Sequence, residues 1–261
     1  MTGLLVVTAV PAEAEAIRAG LTAPAAPDGT TPSDVTAPPD GTTPSDVTAP
    51  PDGTMPSDVT APPDVTVLPD VTVLPVGVGP AVAGAATARL LALAEAAGRP
   101  YRAVVSAGIA GGFVGRVAVG GTVLADRSVA ADLGAESPAG FIPVEDLGMP
   151  PELLGGGRIV PADPGLLARL RAALPGATVG TVLTVSTVTG TAASTAALAE
   201  RHPDAVAEAM EGYGVAVAAA QAGVPFVELR TVSNPIGPRD RSAWRMREAF
   251  AALTAAAAAL H

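Results

Sequence analysis

The stretch Leu4-Leu5-Val6-Val7-Thr8-Ala9-Val10-Pro11-Ala12-Glu13-Ala14-Glu15-Ala16-Ile17-Arg18 decides the fold class. Leu4 to Val10 is a continuous apolar run rich in β-branched residues, as expected of a strand buried on both faces. Pro11 and the acids after it then open a helix, because proline and carboxylates suit a first helical turn. A strand that runs straight into a helix places the turn at the carboxyl edge of a sheet, where open α/β sheets bind ligands. Glu13 stands at that edge. It is placed for chemistry, although a carboxylate there also serves the helix dipole.

The same alternation continues outward. Strands are predicted over Val71–Val78, Ala103–Ser106, Val117–Asp126, Val179–Val188 and Pro225–Ser233, with shorter ones around Gly140–Ile142 and Val206–Ala209. Helices are predicted over Ala81–Ala97, Pro164–Leu174, Ala192–His202, from Met210-Glu211 onward, and over Ala243–Leu260. Alternating strands and helices predict an α/β fold, a three-layer α/β/α sandwich around a mixed, mainly parallel sheet.

One segment departs from this pattern. From Asp28 the motif Asp-Gly-Thr-Thr-Pro-Ser-Asp-Val-Thr-Ala-Pro-Pro recurs with a period of twelve, at Asp40 and, with Met55, at Asp52. It decays into Asp64-Val-Thr-Val-Leu-Pro and Asp70-Val-Thr-Val-Leu-Pro. Prolines and the scarcity of large apolar residues exclude a packed core. The segment reads as a low-complexity Pro/Asp/Thr-rich insert at about 24–68 in a single domain spanning 1–261, with no chemistry of its own. It carries much of the formal net charge of −10, so the folded remainder is nearly balanced.

Composition excludes several classes of function. There is no cysteine, hence no disulfide framework or thiol chemistry, and only two histidines, too few for a histidine-rich metal site. No basic stripe offers a surface for nucleic acid. The Ala-rich run over 249–260 is too short for a membrane span, and the amino-terminal residues lack a basic region and cleavage site. A cytoplasmic enzyme without metal or cofactor is expected. Gly77-Val78-Gly79 and Gly84 give G-x-G-x-x-x-x-G, whereas the dinucleotide fingerprint needs its third glycine where Val82 stands.

Two further stretches carry candidate binding groups. In Ala209-Met210-Glu211-Gly212-Tyr213-Gly214-Val215-Ala216, a carboxylate heads a helix of small residues. If buried it needs a partner, and a ribose offers two hydroxyl donors. If solvated it simply favours the helix start. In Ser106-Ala107-Gly108-Ile109-Ala110-Gly111-Gly112, glycines crowd a strand end. They either bring backbone groups against a flat ligand or make a tight turn.

Taken in order, the Glu13 turn, the Gly77–Gly79 turn, the Gly108–Gly112 stretch, Ala209-Met210-Glu211-Gly212 and Arg230-Thr231-Val232-Ser233-Asn234 resemble the nucleoside phosphorylase and nucleosidase superfamily. The likeness is to its methylthioadenosine/adenosylhomocysteine nucleosidase branch and covers the chain except the insert. Val7-Thr8-Ala9-Val10-Pro11-Ala12-Glu13 and Ser233-Asn234-Pro235 with Asp240-Arg241 look most like the futalosine hydrolase family. That resemblance implies hydrolysis of the N-ribosidic bond of futalosine with release of hypoxanthine, in menaquinone biosynthesis, by a homo-oligomer acting on a small nucleoside. It also implies roles. Glu13 matches the water-activating glutamate, Glu211 the group holding the ribose hydroxyls and Met210 the methionine beside the sugar. Gly108, Ile109, Ala110 and Gly111 match the segment at base and sugar, and Val188 falls where the family has an aromatic residue near the base. Asn234 replaces the aspartate of adenine-specific members. An amide donates to a 6-oxo group and accepts from N7–H, which suits hypoxanthine. Asp240 is a candidate acid for the leaving base, or else a loop carboxylate paired with Arg239 or Arg241. The alternatives are a methylthioadenosine-type nucleosidase, a purine nucleoside phosphorylase, or a nucleoside-binding module without turnover.

Overall fold

The computed structural model describes residues 3–22, 67–68, 70–150, 153 and 157–261. Most of the predicted insert lies outside them. Among the described residues there are eleven strands and six α-helices: β1 (Leu4–Thr8), α1 (Pro11–Thr22), β2 (Val67–Leu68), β3 (Val71–Pro75), α2 (Pro80–Ala96), β4 (Ala103–Gly112) and β5 (Thr122–Ala130) come first. A hairpin of β6 (Gly134–Ser137) and β7 (Gly140–Pro143) follows, then β8 (Ile159–Pro161), α3 (Pro164–Ala173), β9 (Thr178–Thr184) and α4 (Ala192–Arg201). The chain closes with β10 (Ala205–Ala209), α5 (Gly212–Gln221), β11 (Phe226–Pro235) and α6 (Met246–Ala257). Val67–Leu68, at the predicted end of the insert, instead pair antiparallel with β3.

Nine strands form one mixed sheet, in the order β10-β9-β5-β11-β4-β1-β3-β2, with β8 beside β5. β1 is central and parallel to both β3 and β4. Its side chains alternate between two cores, as the strand period of two requires. Leu4 and Val6 join Ile17 of α1, Leu166 of α3 and Leu253 of α6. Leu5 and Val7 join Ala83 and Leu91 of α2 with Val215 and Ala219 of α5. Helices therefore cover both faces, which gives the three layers.

The sheet also closes on itself. The far end of β4 pairs antiparallel with β10, with Ala207 opposite Gly112 and Glu208 opposite Gly111. The glycine stretch is accordingly extended strand and not a turn after Ser106: Gly108, Gly111 and Gly112 all lie within β4 and none has a positive φ. A side chain is excluded there by close neighbours. A Cβ at Gly112 would lie 2.7 Å from Val232 Cγ1. β11 likewise runs on past Ser233 to Pro235, with its register to β4 shifting between Val232 and Asn234. Such a bulge re-aims side chains, and here it sets Asn234 level with Gly111.

Candidate active site

Two groups of polar side chains lie along β4, centred on Gly108 and on Gly111. Three residues of extended strand separate them, about 10 Å.

The first group is built on buried carboxylates. Glu13 is only 3% exposed, in the first turn of α1. Its Oε2 accepts from the backbone N–H groups of Ala9 (2.9 Å) and Val10 (3.2 Å), and its Oε1 from that of Ile109 (2.9 Å). A carboxylate has about four acceptor positions, so the free one is on Oε1. That oxygen and Arg230 Nη1 converge on the same place, because a Cβ at Gly108 would lie 2.6 Å from one and 2.8 Å from the other. Glycine is what admits both.

Glu211 ends the link from β10 to α5 and is also buried. Arg230 Nη1, which lies against Gly108, links it to the first group. Its Oε1 accepts from Gly79 N–H (3.3 Å), and its Oε2 lies 3.4 Å from Arg230 Nη1. The Gly77 and Gly79 turn, with φ of 98° and 92°, thus serves Glu211 by bringing backbone up to it. Of the two alternatives open from sequence, the structure selects the paired, buried carboxylate.

Arg230 organises this group although sequence reading did not single it out. It is fully buried, bonds Glu228 Oε1 through Nε (2.8 Å) and Ser106 Oγ through Nη2 (3.2 Å), and faces Glu211 and Glu13. Burial works against the guanidinium charge, but Glu228, Glu211 and Glu13 outweigh it and raise the pKa. Glu228 is wholly buried between Arg230 and Ser128 Oγ, and desolvation pushes its carboxyl above the ordinary range. One cation among three carboxylates cannot neutralise them all. The signal was present in Phe226-Val227-Glu228-Leu229-Arg230-Thr231-Val232: two charges at i and i+2 in a central strand share a face and must be paired.

The second group lines a cavity of about 100 Å³ bounded by Gly111, Val188, Thr189, Glu208, Asn234, Arg239 and Trp244, among others. Asn234 Oδ1 accepts from Ser233 Oγ (2.8 Å) and its Nδ2 donates to Pro235 O (2.9 Å). One N–H and one lone pair remain for a ligand. Val188 lines the cavity. Glu208 was not anticipated. It is 5% exposed on β10, with Oε1 accepting from Thr189 N–H (2.8 Å) and Oε2 lying 2.5 Å from Thr189 Oγ1. Desolvation raises its pKa against the lowering effect of both Thr189 bonds.

The structure does not bring Asp240 into either group. It is exposed, caps the turn at Arg241–Ala243, and accepts from Ser242 N (2.9 Å) and Ser242 Oγ. Those bonds hold its pKa below the usual carboxylate value, the opposite of what an acid needs. Its partner is Ser242, not Arg239 or Arg241. Met210 is half-buried beside Glu211. Ile109 enters through its backbone N–H, and Ala110 through its carbonyl, which accepts from Ser233 Oγ (3.3 Å).

The family model described as the phosphorylase superfamily matches residues 68–260. The chain belongs to the phosphorylase superfamily. Within that superfamily it is 58% identical to a futalosine hydrolase of Streptomyces coelicolor over 182 residues, 70% of this chain and 74% of that protein. It is 39% identical to one of Thermus thermophilus, over 66% of this chain and 75% of the relative. Solved structures share the fold at low identity. A futalosine hydrolase of Helicobacter pylori superposes with a TM-score of 0.68 at 15% identity, covering 99% of this chain and 97% of the other. A methylthioadenosine/adenosylhomocysteine nucleosidase of Neisseria meningitidis in complex with methylthio-immucillin-A gives 0.69 at 19%, covering 100% and 98%. Among the described residues no helix is long and apolar enough to cross a membrane, and no three His, Cys, Asp or Glu side chains are grouped to hold a metal.

Proposed function

We propose that this chain hydrolyses the N-ribosidic bond of futalosine, releasing hypoxanthine and dehypoxanthine futalosine in menaquinone biosynthesis. The observation that carries this reading is the pairing of two sites on β4. A buried carboxylate with one free acceptor position lies at Gly108, and a neutral amide lies at Gly111. The 58% identity to a futalosine hydrolase supports the same substrate.

Cleavage builds positive charge on the sugar and negative charge on the base. Glu13 Oε1 takes a proton from water as that water attacks the anomeric carbon, a step worth about 10²–10⁴-fold for a positioned base. Glu211 accepts from the ribose hydroxyls, with Met210 beside the sugar, and the anionic surroundings of Arg230 favour the cationic sugar. Gly108, Ile109, Ala110 and Gly111 carry the ligand along β4, and Val188 packs near the base. Asn234 donates to the 6-oxo group and accepts from N7–H. Phosphorolysis is disfavoured because the cation at this site, Arg230, is already tied to Glu228 and Glu211. The resemblance further supports a cytoplasmic homo-oligomer, which size-exclusion chromatography with light scattering tests.

The deciding experiment incubates the protein with futalosine, inosine and methylthioadenosine, with and without phosphate, and follows free base by chromatography. Hypoxanthine from futalosine alone, independent of phosphate, is expected. Phosphate-dependent release from inosine would make the enzyme a phosphorylase.

A further inference from the structure

Departure of a purine as a neutral molecule requires a proton on the imidazole ring, and the resemblance supplies no donor once asparagine stands at position 234. Asp240 does not fill the gap, being exposed and turned to Ser242. Among the described residues lining the cavity at Gly111, the ionisable side chains are Glu208 and Arg239. An arginine does not release a proton in a protein. We infer that Glu208 is the catalytic acid that delivers a proton to the leaving base. This assignment rests on the proposed nucleoside hydrolysis.

The placement supports it. A Cβ built at Gly111 would lie 3.6 Å from Asn234 Nδ2 and 3.6 Å from Glu208 Cγ, so amide and carboxyl flank one point of the cavity wall. The two oxygens of Glu208 are not equivalent. Thr189 N–H can only donate, which fixes Oε1 as an acceptor. Thr189 Oγ1 donates to one lone pair of Oε2, so the other is left to carry a proton toward the cavity. The strands packed against β10 present Leu183 of β9 and Gly111 of β4 at this level, both uncharged. Arg239 is the charged side chain sharing the cavity, and burial keeps the carboxyl protonated to higher pH than an exposed glutamate.

The step balances as follows. The C1′–N9 bond breaks and its electron pair goes to the purine. The Glu208 Oε2–H proton passes to N7, leaving Glu208 as carboxylate, and Asn234 Oδ1 accepts from the N7–H so formed. The water oxygen bonds C1′ and its proton passes to Glu13. After release, Glu13 loses its proton to solvent and Glu208 takes one up.

The test measures kcat and kcat/KM for futalosine from pH 4.5 to 9 in the unaltered chain, Glu208→Gln and Glu208→Asp, with hypoxanthine affinity by calorimetry as the check on the pocket. The unaltered chain is expected to lose activity on the alkaline side through loss of one proton. Glu208→Gln should lose about 10²–10⁴-fold in kcat, show no alkaline limb, and bind hypoxanthine within threefold of normal. Glu208→Asp should recover part of the rate together with the limb. A Glu208→Gln variant that retains the limb, or falls by less than threefold, overturns the assignment. Should that variant not fold, an unaltered profile flat to pH 9 overturns it as well. An unaltered chain that leaves futalosine intact at every pH would instead remove the proposed function.

Discussion

At the scale of single residues, the buried charges around Arg230 set the strongest expectations. Removing the guanidinium leaves Glu228, Glu211 and Glu13 facing one another without their cation. Breaking a buried ion pair from one side costs about 3–5 kcal/mol, so Arg230→Met should lose that much in urea denaturation at pH 8. The sign of the pH effect follows from the cause: Arg230 lowers the pKa of Glu228 against the raising effect of burial, so without the cation that carboxyl rises further in the folded state. The folded variant then binds more protons than its unfolded chain, and its deficit should shrink on going from pH 8 to 5. A deficit that grows on acidification would refute this account. Glu13→Gln should abolish futalosine cleavage, at a cost that sequence alone did not anticipate. Three backbone N–H groups point at the carboxylate, whereas an amide offers one oxygen. The Gln nitrogen must face a backbone donor, so a loss of about 1–3 kcal/mol accompanies the lost turnover. Turnover near that of the unaltered chain would take Glu13 out of the mechanism.

At the scale of elements, the α4–β10 link holds a titration that stability should report. His202 is the residue after α4, and burial, together with Arg158 and Arg201, lowers its pKa to about 4. A cation at a helix carboxyl end is ordinarily favoured. Here desolvation wins. The unfolded chain takes a proton near pH 6.5 while the folded one resists it to about 4. Between those values the unfolded state binds more protons, so stability falls as pH is lowered through that window. His202→Gln should remove part of the drop in Tm between pH 6.5 and 4, and identical slopes would show that folding does not lower the pKa of His202. Elements are also where the sequence was most legible. β1 and α1 follow from an apolar run and a proline, and strand–helix alternation carries no ambiguity at that length. The closure of the sheet was not legible, because Gly111 and Gly112 have no side chains to show a period and their pairing with β10 is non-local. The same limit hid part of the site. Glu13, Glu211 and Asn234 stand at element ends, where motifs announce them. Glu208 and Arg230 lie inside strands, where only the energetic oddity of a charge among apolar neighbours marks them. Asp240 stands outside both groups because a loop carboxylate's direction is set by its cap, here Ser242, and not by its neighbours in sequence.

At the scale of the whole molecule, described contacts outside the proline-rich insert hold its two sides together. β1 pairs with β3 over five residues, from Leu4 opposite Val71 to Thr8 opposite Pro75, and Leu4 N–H donates to Asp70 O at 2.7 Å. Arg18 of α1 reaches across to the carbonyl of Val73 at 2.9 Å. These bonds fix where the chain re-enters the sheet, whatever length of repeat precedes it. Every side chain of the two groups on β4 other than Glu13 comes from after residue 76, and Glu13 is positioned by Ala9, Val10 and Ile109. Deleting residues 28–63 therefore leaves every described side chain of the two groups in place and shortens the connection between α1 and β2, whose closure entropy varies only with the logarithm of its length. That difference is about 1 kcal/mol in favour of the shorter chain. The deletion variant should cleave futalosine with kcat and KM within about twofold of the full chain and melt at the same temperature or slightly above. The comparison separates two kinds of failure. A folded deletion variant with unchanged kcat but raised KM would place the repeats near the substrate's tail. One that is folded but inactive would mean that the repeats support the Glu13 turn, whose only connection to the remaining strands in sequence passes through them.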